Sequence, residues 1–148
     1  MRAKRSNAGF TLIEVLIALV VMSIGLLGLA ALQIQGMKYN SDAYFRTQAT
    51  TLAYDIIDRM RANATAARSG LYAATTAPAG SSDCEAAACS ASDLAQYDLK
   101  RWYDTLAVRL PKPLDQPSSI QSAGGQHTIT IRWAERDLIM SQSWVVAI

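Results

Sequence analysis

The feature that most constrains this chain is a run of uncharged residues near its amino terminus. Val15–Leu32 contains 18 consecutive residues without Asp, Glu, Lys, Arg or His. The wider apolar stretch runs from Phe10 to Leu32, and its 23 residues would reach about 34 Å as a helix rising about 1.5 Å per residue. That length covers the hydrocarbon core of a bilayer. The pattern therefore predicts a membrane-spanning helix and argues against a purely cytosolic protein.

Length and composition limit what the rest of the chain can be. With 148 residues, 51% of them apolar and 18% charged, it has enough material for one domain and is too apolar for a disordered protein. The cations Arg2, Lys4 and Arg5 all precede the apolar run, and without them 11 Lys and Arg face 12 Asp and Glu. No basic surface for nucleic acid is expected, so nucleic acid is not predicted as a partner.

A secretory signal and an uncleaved single-pass anchor are the two simplest interpretations of this amino terminus. The apolar stretch is longer than the roughly 7 to 15 residues of an ordinary signal core, and Gly28-Leu29-Ala30 is only a weak small-residue cleavage site. Neither interpretation explains Glu14, an acid inside the apolar stretch. A charge at the centre of a membrane helix costs about 2.5 to 3.5 kcal/mol, so such residues usually serve a function and have a partner.

The run Gly9-Phe10-Thr11-Leu12-Ile13-Glu14, with a short basic leader before it and an apolar helix after it, resembles the class III signal of type IV prepilins and of type II secretion pseudopilins. The resemblance implies that a membrane-embedded prepilin peptidase cuts after Gly9 and methylates the new amino terminus at Phe10. It also implies that Glu14 pairs with the terminal amine of a neighbouring subunit. Residues 1–9 would be the leader and residues 10–33 the transmembrane and assembly helix.

The same resemblance implies a set of partners and a location. The partners are prepilin peptidase, other major and minor pilins, the inner-membrane pilus assembly machinery and the lipid bilayer. The protein would span the inner membrane once, with its leader cytoplasmic and its head periplasmic, and would then enter a pilus at the cell surface. Close packing of such helices needs small residues, and the apolar stretch supplies Ala18, Ser23, Gly25 and Gly28.

Residues 34–69 are predicted to continue the helix as an amphipathic periplasmic segment that ends near Gly70. One apolar stripe follows the 3, 4, 7, 8 spacing of a helix face. Its members are Ala49, Leu52, Ala53, Ile56, Ile57 and Met60. Arg59, Arg61 and Arg68 are interspersed with acids and are predicted to lie on a solvated face.

Two cysteines, Cys84 and Cys89, lie on the side of the apolar run that the positive-inside rule places across the membrane. An oxidising compartment would join them in a disulfide. Five helical residues rise about 7.5 Å, beyond the roughly 7 Å limit between bonded Cα atoms, so a bond requires the alanines between them to turn. A metal or redox site remains the competing interpretation, although no His or second cysteine pair is near.

Residues 70–148 are predicted to form a globular head. Ser90 or Ser92 caps a helix that Pro111 ends, and its apolar face is Ala95, Leu99, Trp102, Tyr103, Leu106 and Leu110. Strand patterns follow around Ile120, at Thr128–Trp133 and at Leu138–Ile148, with turns at Gly124-Gly125 and Glu135-Arg136-Asp137. The predicted fold class is α+β and type IV pilin-like: a long amino-terminal helix packed against a small antiparallel sheet, with one extra helix.

Within the superfamily the chain is most similar to the PilV-type minor pilins. The similarity rests on the SIGLLGLAALQ run, the Asp98-Leu99…Trp102 helix after Cys89 and the closing TITIRW strand. It implies a minor pilin that contributes to pilus assembly or modification. A minor pseudopilin of a type II secretion system, or a membrane-tethered adhesion or binding module, is the alternative.

An enzyme is not predicted. The single histidine, His127, has no Ser or Cys motif and no cluster of metal ligands around it in the sequence. It is predicted to be a polar residue at the edge of a strand. No catalytic residue, metal site or cofactor is therefore assigned.

Overall fold

The computed structural model describes residues 9–113, 116–136 and 138–148. The basic leader residues before Gly9, including Arg2, Lys4 and Arg5, lie outside the described residues, as does Asp137 of the predicted polar turn. The chain divides after Ser41 into an amino-terminal helical unit and a head, Asp42–Ile148. Within the described ranges the elements are three helices and three strands.

Helix α1 runs from Leu12 to Ala62 and contributes to both units. In the amino-terminal unit every described residue is exposed, including the large apolar side chains. Its most apolar 18-residue window has a mean hydropathy of 2.8, and by length and composition α1 can cross a membrane. Within the described residues, the apolar side chains of the predicted spanning helix are therefore not buried by any other part of the chain.

Within the head, α1 buries one apolar stripe. Its members are the six residues whose spacing predicted it: Ala49, Leu52, Ala53, Ile56, Ile57 and Met60. The helix ends at Ala62, earlier than the predicted 69, because Asn63 leaves helical geometry. The Asn63 side chain is buried and donates to the carbonyl of Ala91 at 2.7 Å. Helix α2, Ala64–Arg68, follows, and Gly70 ends it with a φ of 76° that an L side chain adopts only with strain.

Helix α3 spans Ala91–Arg109 and begins where the capping pattern predicts. Ser90 is the N-cap, and its hydroxyl accepts from the amide of Asp93 at 3.2 Å. Pro111 ends the helix because its ring disfavours helical geometry at the preceding residue, and Leu110 is accordingly extended. The predicted apolar face packs inward, with Tyr103 partly buried.

Three strands, β1 (Ser119–Ala123), β2 (Gln126–Glu135) and β3 (Leu138–Ala147), form an antiparallel sheet in the order β1-β2-β3 within the described residues. The β1–β2 turn is the predicted Gly124-Gly125 pair, with φ values of 59° and 78°, as a two-residue hairpin turn requires. Alternate residues of β2 point into the core. Trp133 is 1% exposed, whereas Trp144 on β3 is only partly buried.

This architecture confirms the predicted α+β, pilin-like fold class. One core cluster gathers the buried faces of α1, α2 and α3 and the inner faces of β1 and β2. An isolated antiparallel β-bridge joins Ala74, in the connection between α2 and α3, to Ile120 in β1. The backbone groups of the two residues form hydrogen bonds of 2.7 and 2.9 Å. The structure has one helix more than the sequence predicts, the short helix α2. It is separate because Asn63 interrupts the segment that was predicted to continue α1.

Candidate processing and assembly site

Gly9, Phe10 and Glu14 lie together at the start of α1. The carbonyl of Thr11 accepts from the amides of Glu14 and Val15 at 3.1 and 3.3 Å, which closes the first helical turn. Glu14 is the acidic residue of that turn, where the positive end of the helix dipole favours a carboxylate. Phe10 and Glu14 line one shallow groove along the helix, and Phe10 is 83% exposed. The peptide bond between Gly9 and Phe10 therefore lies just before the helix, on an exposed segment.

Among the described residues, the two glycines of the apolar helix contact no neighbouring element. A Cβ atom added at Gly25 or Gly28 would meet nothing within 4 Å. Glycine inside a helix costs about 1 kcal/mol relative to alanine, so these positions weaken the helix without benefit to the isolated subunit. Ser23 satisfies its hydroxyl on its own helix, at 2.7 Å from the carbonyl of Leu19.

Cys84 and Cys89 form a disulfide with a Cα separation of 5.4 Å, and the residues between them turn rather than form a helix. The loop they close is fixed to α3 through Glu85. One oxygen of Glu85 accepts from the Tyr97 hydroxyl at 2.7 Å and from Arg101 at 2.8 Å. Because the cysteines are oxidised to each other, the structure favours the disulfide over the metal or redox interpretation.

A polar network that the sequence analysis missed joins α1 to α3. Asp98 is 5% exposed and accepts from Arg59 at 3.1 Å and from the Tyr72 hydroxyl at 2.6 Å. Desolvation lowers the pKa of Arg59, but hydrogen bonds to Asp55 and Asp98 outweigh it and hold that pKa above its ordinary value. Burial and the carboxylate of Asp98 raise the pKa of Tyr72.

Arg59 thus lies at the border of the predicted solvated face, with 34% of its side chain exposed and one of its two acids buried. Arg61 pairs with Asp58 at the surface, as that prediction expects. A signal for the network was present in the sequence. Asp98 interrupts the apolar stripe of α3, between Ala95 and Trp102 at helical spacing. A carboxylate in such a stripe needs a partner when it is buried.

Two aromatic side chains of α3 complete the attachment of that helix. The buried indole of Trp102 donates to the carbonyl of Leu52 in α1 at 2.9 Å. The Tyr103 hydroxyl lies 3.2 Å from the carbonyl of Ala74 and 3.0 Å from that of Ser118, and burial raises the pKa of Tyr103 to about 12. Helix α3 thus holds α1, the cysteine-containing connection and the start of the sheet in one unit.

His127 is buried on the inner face of β2, so its prediction as an edge residue is wrong. It is 1% exposed, and its Nδ1 lies 2.8 Å from the Ser122 hydroxyl. Its Nε2 has no hydrogen-bond partner among the described residues. Burial lowers the pKa of His127 below its ordinary value. Within the described ranges, no group of three or more His, Cys, Asp or Glu is placed to hold a metal ion.

Two family models match the chain. Residues 4–30 match a model described as the prokaryotic N-terminal methylation motif, and residues 31–100 match a model described as type IV pilin Tt1218. The chain belongs to the type IV pilins. No curated protein and no solved structure matches this pilin significantly.

The two matches are adjacent along the chain and together cover residues 4–100 of this type IV pilin. The methylation motif contains Gly9, Phe10 and Glu14, and it identifies a membrane-anchored subunit that prepilin peptidase processes. The second match extends into α3 and includes the disulfide loop. The sheet of this pilin lies beyond both matched ranges. Pilins are structural subunits of pili.

Proposed function

We propose that this pilin is a minor subunit of a type IV pilus, of the PilV type, which is made as a prepilin, cleaved after Gly9 and methylated at Phe10. The observation that carries the proposal is the exposed Gly9-Phe10 junction directly before an apolar helix with Glu14 in its first turn. The leader is cytoplasmic and the head periplasmic, since the cations before the apolar run favour the cytoplasmic side.

The proposed role of Glu14 follows from electrostatics. Cleavage creates an ammonium group at Phe10, and the apolar surface of the helix excludes water once neighbouring subunits pack against it. A buried ion pair adds little net stability, but removal of one partner is penalised by about 3 to 5 kcal/mol. The pairing of Glu14 with the amine of a neighbouring major or minor pilin therefore sets the register of the helices in the filament.

Neutralising Glu14 tests this role directly. Glu14→Gln and Glu14→Val prepilins are expected to be cleaved normally, while their amount in sheared pili falls by more than about tenfold because the neighbour's amine is left unpaired. Immunoblots of membrane and pilus fractions measure both quantities. Ser23→Ala is the matched control, since it stays small and removes only a hydroxyl that bonds within its own helix. Normal incorporation of the Glu14 variants would contradict the pairing role.

A minor pseudopilin of a type II secretion system is the alternative, because the processing motif is shared by both kinds of subunit. A clean deletion strain separates the two functions. Loss of twitching motility and surface pili with normal exoprotein secretion is expected for the pilus subunit. Loss of secretion with intact twitching would favour the pseudopilin. Intact pili and secretion combined with lost surface attachment would favour a membrane-tethered adhesion module.

A further inference from the structure

The third strand of the sheet has an open edge. Ten consecutive residue pairs join β3 to β2 without a bulge, and in the described part of the chain no strand pairs with the other side of β3. Alternate backbone N–H and C=O groups of such a strand point away from the sheet and can pair with another chain. Edge strands are usually protected by Lys, Pro or a bulge. Strand β3, Leu138–Ala147, contains no charged residue and no proline.

The inner face of β3 is also incompletely covered. On β2 the inward residues are buried, whereas the inward residues of β3 are only half-buried. These are Met140, Gln142, Trp144 and Val146. A strand added beside β3 would pair with the open edge and would place its own inward side chains next to this half-buried row.

A cleft of about 470 Å³ opens between β3 and α1 beside this edge. Its walls are Arg46, Thr47 and Thr50 of α1 and Met140, Ser141 and Gln142 of β3, and Trp133 also lines it. Trp133 is 1% exposed, yet its indole N–H has no acceptor among the described residues.

The accessible polar groups of the cleft indicate the charge of a ligand that fits it. Arg46 is exposed, and no described carboxylate lies within salt-bridge distance of it. Thr47 and Thr50 donate their hydroxyl protons to carbonyls of their own helix, at 3.0 and 2.9 Å. The cleft therefore offers the exposed guanidinium group of Arg46 to a ligand with acceptor oxygens.

We propose that the open edge of β3 and this cleft form a strand-acceptor site, which binds an extended segment of another protein that carries an Asp or Glu side chain. The backbone of the segment pairs with β3, and its carboxylate accepts from Arg46. A second copy of β3 does not fit the site equally well, because that uncharged strand would bring no carboxylate to Arg46. The site lies entirely within the head and does not depend on which filament contains the subunit.

Peptide selection tests the proposal on the full-length protein in detergent micelles. A phage-displayed library of random 12-residue peptides is selected against the native protein, with the Arg46→Gln variant as the counter-selection. Enriched peptides are expected to contain an acid and to lack proline at their centre. Synthetic copies are expected to slow hydrogen exchange of the β3 amides. N-methylation of alternate peptide amides should abolish binding in one register and leave it intact in the other, because only one edge of an added strand pairs with β3.

Point variants separate this site from non-specific adsorption. Arg46→Gln should weaken the selected peptide by about three- to tenfold, as expected for a hydrogen-bonded charge pair at the surface. Arg61→Gln is the matched control on the same helix and should leave the affinity unchanged. Replacing the acid of the peptide by its amide should remove the difference between Arg46→Gln and the parent protein.

Several results would overturn the proposal. They are failure to enrich any peptide over the counter-selection, equal binding to the Arg46→Gln variant, and exchange protection outside β3. A concentration-dependent dimer that protects β3 without peptide would also overturn it, because the occupant would then be a second copy of this chain.

Discussion

Asp98 is the buried acid at the contact between α1 and α3. Its carboxylate receives the guanidinium of Arg59 from α1 and the hydroxyl of Tyr72 from the connection after α2. Asn63 extends the network, since its amide donates to the carbonyl of Ala91 at the start of α3. A carboxylate that is 5% exposed would be strongly unfavourable without these donors.

Removing this acceptor should destabilise the head. Asp98→Ala leaves the Tyr72 hydroxyl and part of the Arg59 guanidinium without an acceptor, which is expected to lower the free energy of unfolding by about 2 kcal/mol. The estimate is below that for a fully buried pair because a third of the Arg59 side chain is exposed and screened by solvent. Urea unfolding of the full-length protein in detergent measures the loss.

Asp58→Ala is the matched control, because its pair with Arg61 is exposed on both sides. Its effect should stay below about 0.5 kcal/mol. Equal losses in the two variants would contradict the role of Asp98.

His127 predicts a dependence of stability on pH. Burial lowers its pKa in the folded protein, so below about pH 6.5 the unfolded chain binds a proton that the folded chain resists. The contribution of neutral His127 to the free energy of unfolding is fully present above that pH. It is lost as the pH falls through the lower pKa that His127 has in the folded state. The free energy of unfolding should therefore decline between about pH 7.5 and about pH 5, a range around the ordinary histidine pKa. The His127→Leu variant should show a smaller decline over the same range. An unchanged slope in the variant would show that His127 does not titrate with unfolding.

Secondary structure was largely predictable, because each element has a local cause. The stripe from Ala49 to Met60, the Ser90 cap, the Pro111 stop and the Gly124-Gly125 turn were all predicted and are confirmed. The errors have tertiary causes. Helix α1 ends at Ala62 because Asn63 bonds to α3, a contact 28 residues away in the chain that no local pattern contains.

The disulfide loop is the element whose stability contribution can be measured most cleanly. Closing so short a loop is expected to add about 2 kcal/mol in the chain-entropy model. The Cys84→Ser, Cys89→Ser double variant should therefore unfold at a lower urea concentration. Dithiothreitol should have a comparable effect on the parent protein and none on the double variant. A parent protein that is equally stable before and after reduction would contradict this contribution.

At the scale of the whole molecule, the two units differ in whether their apolar residues are buried or exposed. The head buries its apolar stripe among α1, α3 and the sheet, while the amino-terminal unit exposes every described side chain. The sequence predicted an apolar helix that continues as an amphipathic one, since hydropathy and helical periodicity are local properties. It could not predict that, among the described residues, one edge of β3 has no neighbouring strand and the Trp133 indole has no acceptor, because both depend on which strands meet in the folded head.

The processing of the amino terminus tests the central claim most directly. Pili sheared from cells that express the protein at its native level are purified, and the amino terminus of this subunit is determined by mass spectrometry. The account predicts a mature chain that begins at Phe10 and carries a methyl group on its amine. A subunit in the fibre that retains Met1, or one that begins near Ala31 after ordinary signal cleavage, would contradict the account.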